Sequence, residues 1–143
     1  MSAGAMRALF GKALVAWAAV IPFAIANGLL RQKVLVPALG DVWGLAASGV
    51  ILCAVIAVAA ELAARWYGAA GHGHGFALGA FWLVLTLGFE VGMALGAQDR
   101  SWNDVARAFN PATGNLWLLV LATTLFAPIL AARRRASGAS APP

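Results

Sequence analysis

The stretch from Val42 to Ala64 reads VWGLAASGVILCAVIAVAAELAA, and its reading decides the fold. Glu61, its one charged residue, lies near its end, and the run matches the roughly 20 apolar residues, at about 1.5 Å each, that a helix needs to cross a hydrocarbon core. Outward from it the pattern repeats from Leu9 to Leu30, from Phe76 to Gly96 (FALGAFWLVLTLGFEVGMALG) and from Leu116 to Ala132 (LWLLVLATTLFAPILAA). The predicted fold is therefore an all-α membrane protein, a bundle of four transmembrane helices forming one domain over residues 1–135. Pro22 removes a backbone donor inside the first span and predicts a kink near residues 18–22. Lys33, Pro37, Gly40 and Asp41 mark a short connection, the glycine-rich GAAGHGHG of residues 68–75 predicts a flexible turn, and ASGASAPP at residues 136–143 predicts a disordered tail.

Composition agrees. With 62% hydrophobic and 10% charged residues, the chain cannot cover a soluble globule of 143 residues with charge. The formal charge of +5 does not point to nucleic acid, because the basic residues are scattered at the ends of apolar runs with neither a basic helix nor an aromatic platform among them. Cys53 stands alone in an apolar run, so no disulfide framework, thiolate metal pair or redox motif is expected. The first apolar run is longer than the core of a signal peptide and ends in Arg31 and Lys33 rather than at a small-residue cleavage site, and it reads as a retained span.

The longest polar stretch, Ala97 to Asn115, joins the third and fourth spans. Within it Trp102, Val105, Ala106 and Phe109 fall at i, i+3, i+4 and i+7, while Asn103, Asp104 and Arg107 take the other face. Ser101 with Asp104 three residues later approximates a capping box, and Asn110-Pro111 supplies a stop. This predicts a short amphipathic helix lying flat at the membrane surface. Trp43, Trp66, Trp102 and Trp117 sit near span ends, as in an aromatic belt.

Glu90 is the sharpest functional signal. A carboxylate within a span costs on the order of 3 kcal/mol by insertion scales and is retained when it faces the bundle interior with a partner. Counted back from Gly96, Glu90 lies roughly 9 Å below the end of its helix, and the same arithmetic puts Ser48, Thr123 and Thr124 at similar depth, with Asn27 near the end of the first span. All four spans are thus expected to offer a polar side chain to one layer. Arg31 closes the first span just above it and, leaning toward the N-terminus as helical side chains do, can reach down to pair with Glu90. Gly88, Gly92 and Gly96 form a small-residue stripe about 200° round the helix from Glu90, which predicts close packing on that face, a central third helix, and greater damage from Gly92→Leu than from Gly79→Leu. Glu61 precedes Arg65 by four residues, the favourable order for a helical ion pair.

Other chemistry finds no support in the pattern. His72 and His74 sit on a glycine loop without a nearby carboxylate or thiolate, so no metal site is expected. A haem between spans would need histidines within helices, and the spans hold none. Ser101 has no candidate base, no nucleophile constellation is evident, and neither catalytic residues nor a cofactor are expected.

Three stretches, GLLRQKVLVPALG, FWLVLTLGFEVGMALG and SWNDVARAFNPATGNLW, together resemble a family of small four-span bacterial inner-membrane proteins of undefined function. The resemblance covers most of the chain and carries over Arg31, Pro37, Gly40, Glu90, Ser101, Trp102, Asn110, Gly114 and Trp117 as matching positions. At Ala108, Phe109 and Asn115 the chain departs from the family pattern, where Asp, Tyr and Arg are more usual, so no role needing an acid at 108 or a base at 115 is carried over. The resemblance implies a shared four-span architecture in the bacterial inner membrane, and it implies no reaction. Small multidrug transporters also use a membrane glutamate, but in their first span, where this chain has none.

The sequence favours a non-enzymatic membrane protein, structural or accessory to a membrane complex, whose partners are the lipid bilayer and another membrane protein or a second copy of itself. The alternative is a small proton- or cation-coupled transporter built on Glu90. Four spans put both termini on one side. Arg7, Lys12, Arg65 and Arg133 to Arg135 fall on that side against Arg31, Lys33, Arg100 and Arg107 on the other, so six basic residues against four place the termini in the cytoplasm. A reporter fused after Gly138 should accordingly be active only as a cytoplasmic reporter, and periplasmic activity there would overturn this orientation.

Overall fold

The computed structural model describes residues 1–139. Four helices are long and apolar enough to cross a membrane: Ala3–Leu39, Asp41–Tyr67, Gly75–Ala97 and Trp117–Ala139. No strand occurs among the described residues. In lipid every backbone N–H and C=O must be satisfied within the protein, which a helix achieves locally, so apolar runs of this length fold as continuous helices. The chain is a multi-pass membrane protein.

The ends of the spans differ from the sequence reading. The first helix continues through Pro22 and past Arg31, where the turn Arg31–Leu35 widens so that the Val36 N–H bonds to the Arg31 carbonyl, and then closes as Val36–Leu39. Lys33 and Pro37 thus belong to the helix, and the connection shrinks to Gly40. Gly40 adopts φ +82, open to glycine at little cost, and the second helix leaves so close to the first that a Cβ on Gly44 would lie 2.8 Å from the Val36 backbone. The third helix ends in a similar widened turn, Met93–Ala97, with the Gln98 N–H bonded to the Met93 carbonyl. Residues 68–75 hold a short helical turn, Ala69–His72, packed against the second and fourth helices, where a flexible turn was expected. The fourth helix runs on to Ala139, so residues 136–139 are helical instead of disordered; alanine favours the helix and Arg135 is anchored just before them. The rest of the expected tail lies outside the described residues.

Around the bundle the spans follow the order first, second, fourth, third. The third helix packs its backbone along the fourth and stands farther from the first, so it is not central. Its close approach uses Gly75 and Gly79. A Cβ on Gly79 would run into the Leu125 carbonyl oxygen, and one on Gly75 would lie 3.0 Å from the Ala132 Cβ. At Gly88, Gly92 and Gly96 an added Cβ would meet nothing within 4 Å, so the predicted stripe packs against no other part of the described chain. Both glycine sets have the four-residue spacing that permits close packing, and spacing does not say which one meets a neighbour.

Between the first and third helices the spacers are aromatic. Phe10 meets Phe81 edge to face at 5.1 Å between centroids, and Trp17 meets Phe89 at 6.1 Å. Trp82, fully buried, donates its indole N–H to the Ala13 carbonyl at 3.0 Å, and Trp17 donates to the Thr86 hydroxyl at 3.0 Å. At the end carrying the termini, Arg135 pairs with Glu61 at 2.8 Å. The predicted partner, Arg65, follows Glu61 on its own helix, but Arg135 reaches the carboxylate from the neighbouring one.

Gly79→Leu should therefore lower the melting temperature in detergent far more than Gly92→Leu, the reverse of the sequence expectation, because overpacking against a backbone costs about 1–3 kcal/mol or more. Equal losses from the two variants would remove the close contact between the third and fourth helices as a determinant of the fold.

Candidate functional site

The helices border a partly open chamber of about 340 Å³ at the end of the bundle away from the termini. It lies within the range of roughly 300–1,000 Å³ typical of ligand pockets. The first helix supplies Asn27, Arg31 and Gln32, the second Ser48, and the third Glu90; the connection after the third adds Gln98 and Arg100, and Asn115 enters ahead of the fourth. Both widened turns border it, one beginning at Arg31 and the other contributing Met93 and Ala94. A widened turn advances the helix by fewer degrees per residue, so residues beyond it point where a regular helix would not send them.

Of the residues expected in the polar layer, Asn27, Ser48 and Glu90 line the chamber. Asn27 and Ser48 are buried, at 7% and 2% exposure, and the Asn27 amide donates to the Ser48 hydroxyl at 2.9 Å and the Ser48 carbonyl at 3.0 Å. Donation to a carbonyl fixes which end of the amide faces Ser48, and the Asn27 Oδ1 has no hydrogen-bond partner among the described residues. Glu90 shares this chamber. The fourth helix does not contribute as expected: Thr124 is buried and returns its hydroxyl to the Val120 carbonyl, and Thr123 does the same with Leu119. A threonine inside an apolar helix satisfies itself on the preceding turn, so neither adds a polar group to the chamber.

Arg31 and Glu90 line the same space but form no ion pair. The ion pairs among the described residues are Arg135 with Glu61 and, at 4.0 Å, Arg107 with Asp104. Glu90 feels the positive charges of both Arg31 and Arg100. Arg100 was missed in the sequence because it follows the third span in a connection whose return over the bundle no local pattern specifies. The closed Arg31–Glu90 pair expected from reach alone is absent, and Glu90 faces the chamber instead.

No family model, curated protein or solved structure matches this chain. The site must be read from its own chemistry. Below the chamber, a narrower apolar slot of about 50 Å³ runs among all four spans past Trp17, Leu52, Trp82 and Val120, and Glu90 lines both. The arrangement can hold a small polar or charged group beside three ionisable side chains, with an apolar continuation.

The connection between the third and fourth spans roofs the chamber. Its helix, Trp102–Arg107, starts in the predicted capping box: the Asp104 N–H donates to the Ser101 hydroxyl at 3.3 Å, and the Ser101 N–H donates to the Asp104 carboxylate at 3.0 Å. The predicted apolar face divides. Val105 and Phe109, with Ala108, cover the chamber, whereas Trp102 is 69% exposed and points away. Gly114, at φ +80, then lets the chain pass so close to Val42 that a Cβ there would lie 2.6 Å from its carbonyl oxygen. Asn115 caps the fourth helix by accepting the Trp117 N–H at 3.0 Å.

The Ser101 hydroxyl, donating to the Asp104 carboxylate at 2.8 Å, and the Ser101 N–H hold that acid below the usual carboxylate range, with Arg107 adding a smaller pull. A depressed folded pKa means the box stabilises the roof helix above the ordinary carboxylate pKa of about 3.9 and that this contribution is lost as pH falls through the folded value. Ser101→Ala should raise the Asp104 pKa toward that ordinary value in an NMR titration of the side-chain carboxyl carbon. An unchanged pKa would mean that the hydroxyl does not act on this acid.

Proposed function

We propose that this chain is a non-enzymatic protein of the bacterial inner membrane, with both termini in the cytoplasm, and that its chamber is the binding site of a small proton- or cation-linked transporter centred on Glu90. The observation that carries the reading is that Glu90 faces a chamber of about 340 Å³ with Arg31 and Arg100 beside it and closes no ion pair with either. A purely structural carboxylate in a span gains most when its counter-charge is in contact. A carboxylate left facing a cavity is available to a proton or ligand. The bacterial inner membrane as its home rests on the sequence resemblance, and the cytoplasmic termini rest on the distribution of basic residues.

A second reading has its own observation. Gly88, Gly92 and Gly96 form a stripe facing open space, and a surface that lets another helix approach closely suits an accessory subunit of a membrane complex or a second copy of this chain. The two readings use different faces of the third helix and are compatible.

A mutant cycle separates a transport role for Glu90 from a structural one. For a transport site, Glu90→Gln, which mimics the protonated acid, should keep the wild-type melting temperature while abolishing proton- or cation-dependent flux in liposomes. For a structural pair, Glu90→Gln should lower stability and Arg31→Gln added to it should recover part of the loss. Unchanged flux in a stable Glu90→Gln protein would remove the transport reading.

A further inference from the structure

We infer that the chamber takes the head group of a monoanionic phosphodiester amphiphile entering sideways from the bilayer. The inference rests on the reading of the chamber as a binding site and names its ligand class. Arg31 and Arg100 outnumber Glu90 in the chamber lining, and Arg31 lies within the first span, so a surplus positive charge sits at membrane depth. An uncompensated charge there is costly, and a single phosphodiester anion neutralises it. Guanidinium groups match phosphate oxygens geometrically, with two parallel N–H donors each.

The chamber also holds acceptors that a bare anion would leave unused. The Glu90 carboxylate oxygens face this space and take no hydrogen bond among the described residues. A ligand that brings O–H groups as well as a phosphate gives these oxygens donors and so suits this site better than phosphate alone.

A way in exists on the side of the first helix. Ile25 and Leu29 line the chamber and are 53% and 51% exposed, giving its rim an apolar edge on the first helix, and Gly28 between them lines it too. The backbones of the first and third helices stand apart, held off by the aromatic spacers. Acyl chains can therefore stay in the bilayer beside Ile25 and Leu29 while the head lies among the arginines. The chamber holds the head; the slot below it, at about 50 Å³, is too small for a chain.

The test uses the full chain in detergent micelles, with the melting temperature followed as the mole fraction of added lipid rises. Phosphatidylglycerol, which carries one negative charge and two hydroxyls, should stabilise at a mole fraction at least tenfold lower than phosphatidylcholine or diacylglycerol. That preference should vanish in the Arg31→Gln, Arg100→Gln double variant and in Gly28→Leu. Gly28→Leu is the safeguard against misfolding, because a Cβ there meets nothing within 4 Å and the added side chain fills only the entrance. Soluble glycerol phosphate that stabilised the wild type as strongly as the lipid would keep the phosphate chemistry but overturn entry from the bilayer. Equal stabilisation by all three lipids, or a phosphatidylglycerol preference that persists in a folded double variant or in Gly28→Leu, would overturn the inference. If lipid preference fails while flux is still lost in Glu90→Gln, only the ligand class falls; if the preference holds while flux is unaffected by Glu90→Gln, only the transport reading falls.

Discussion

The contact on which the rest of the structure depends is that of Gly79 with the backbone of Leu125, because it draws the third helix onto the fourth and commits it there. Within lipid there is little hydrophobic force to bring helices together, so the distance at which two backbones can pack decides which pairs form. Hydrogen on the third helix at Gly75 and Gly79 gives the short distance on one side. On the other, Trp17, Trp82, Phe10, Phe81 and Phe89 hold the first helix away. A helix held close on one side and far on the other leaves space beside it, and the slot and chamber occupy that space.

What fills the walls follows from the cost of polarity in a membrane. The Asn27 amide N–H groups bond to Ser48 across the first and second helices, and Thr123 and Thr124 satisfy themselves on their own helix. Glu90, Arg31 and Arg100 are treated differently, sharing the chamber without contact. Contrast them with Glu61 and Arg135, which meet at 2.8 Å and tie the second helix to the fourth at the end carrying the termini. One end of the bundle pairs its carboxylate, Glu61, across helices, and the other keeps Glu90 facing an open space. The widened turns and the roof helix are at that second end as well, so the irregular backbone gathers where it lines a cavity.

The sequence by itself determined the elements. Four apolar runs long enough to span, the capping box of Ser101 and Asp104, and the cost of Glu90 are properties of segments read along the chain, because hydropathy and capping are local. It also put Ser48, Glu90, Thr123 and Thr124 at similar depths, with Asn27 and Arg31 nearer the end of the first span, since depth along a helix is residue count times rise. Only the tertiary structure decided azimuth and neighbourhood. Gly75 with Gly79 and Gly88 with Gly92 have the same spacing, and which set meets a helix depends on the first, second, fourth, third arrangement, which no single span encodes. The same arrangement gave Glu61 to Arg135 over Arg65 and brought Arg100 and Asn115 back over the bundle to the chamber. Rotation about a helix axis and the choice of neighbour are settled by contacts between distant segments, and those contacts exist only once the helices have packed.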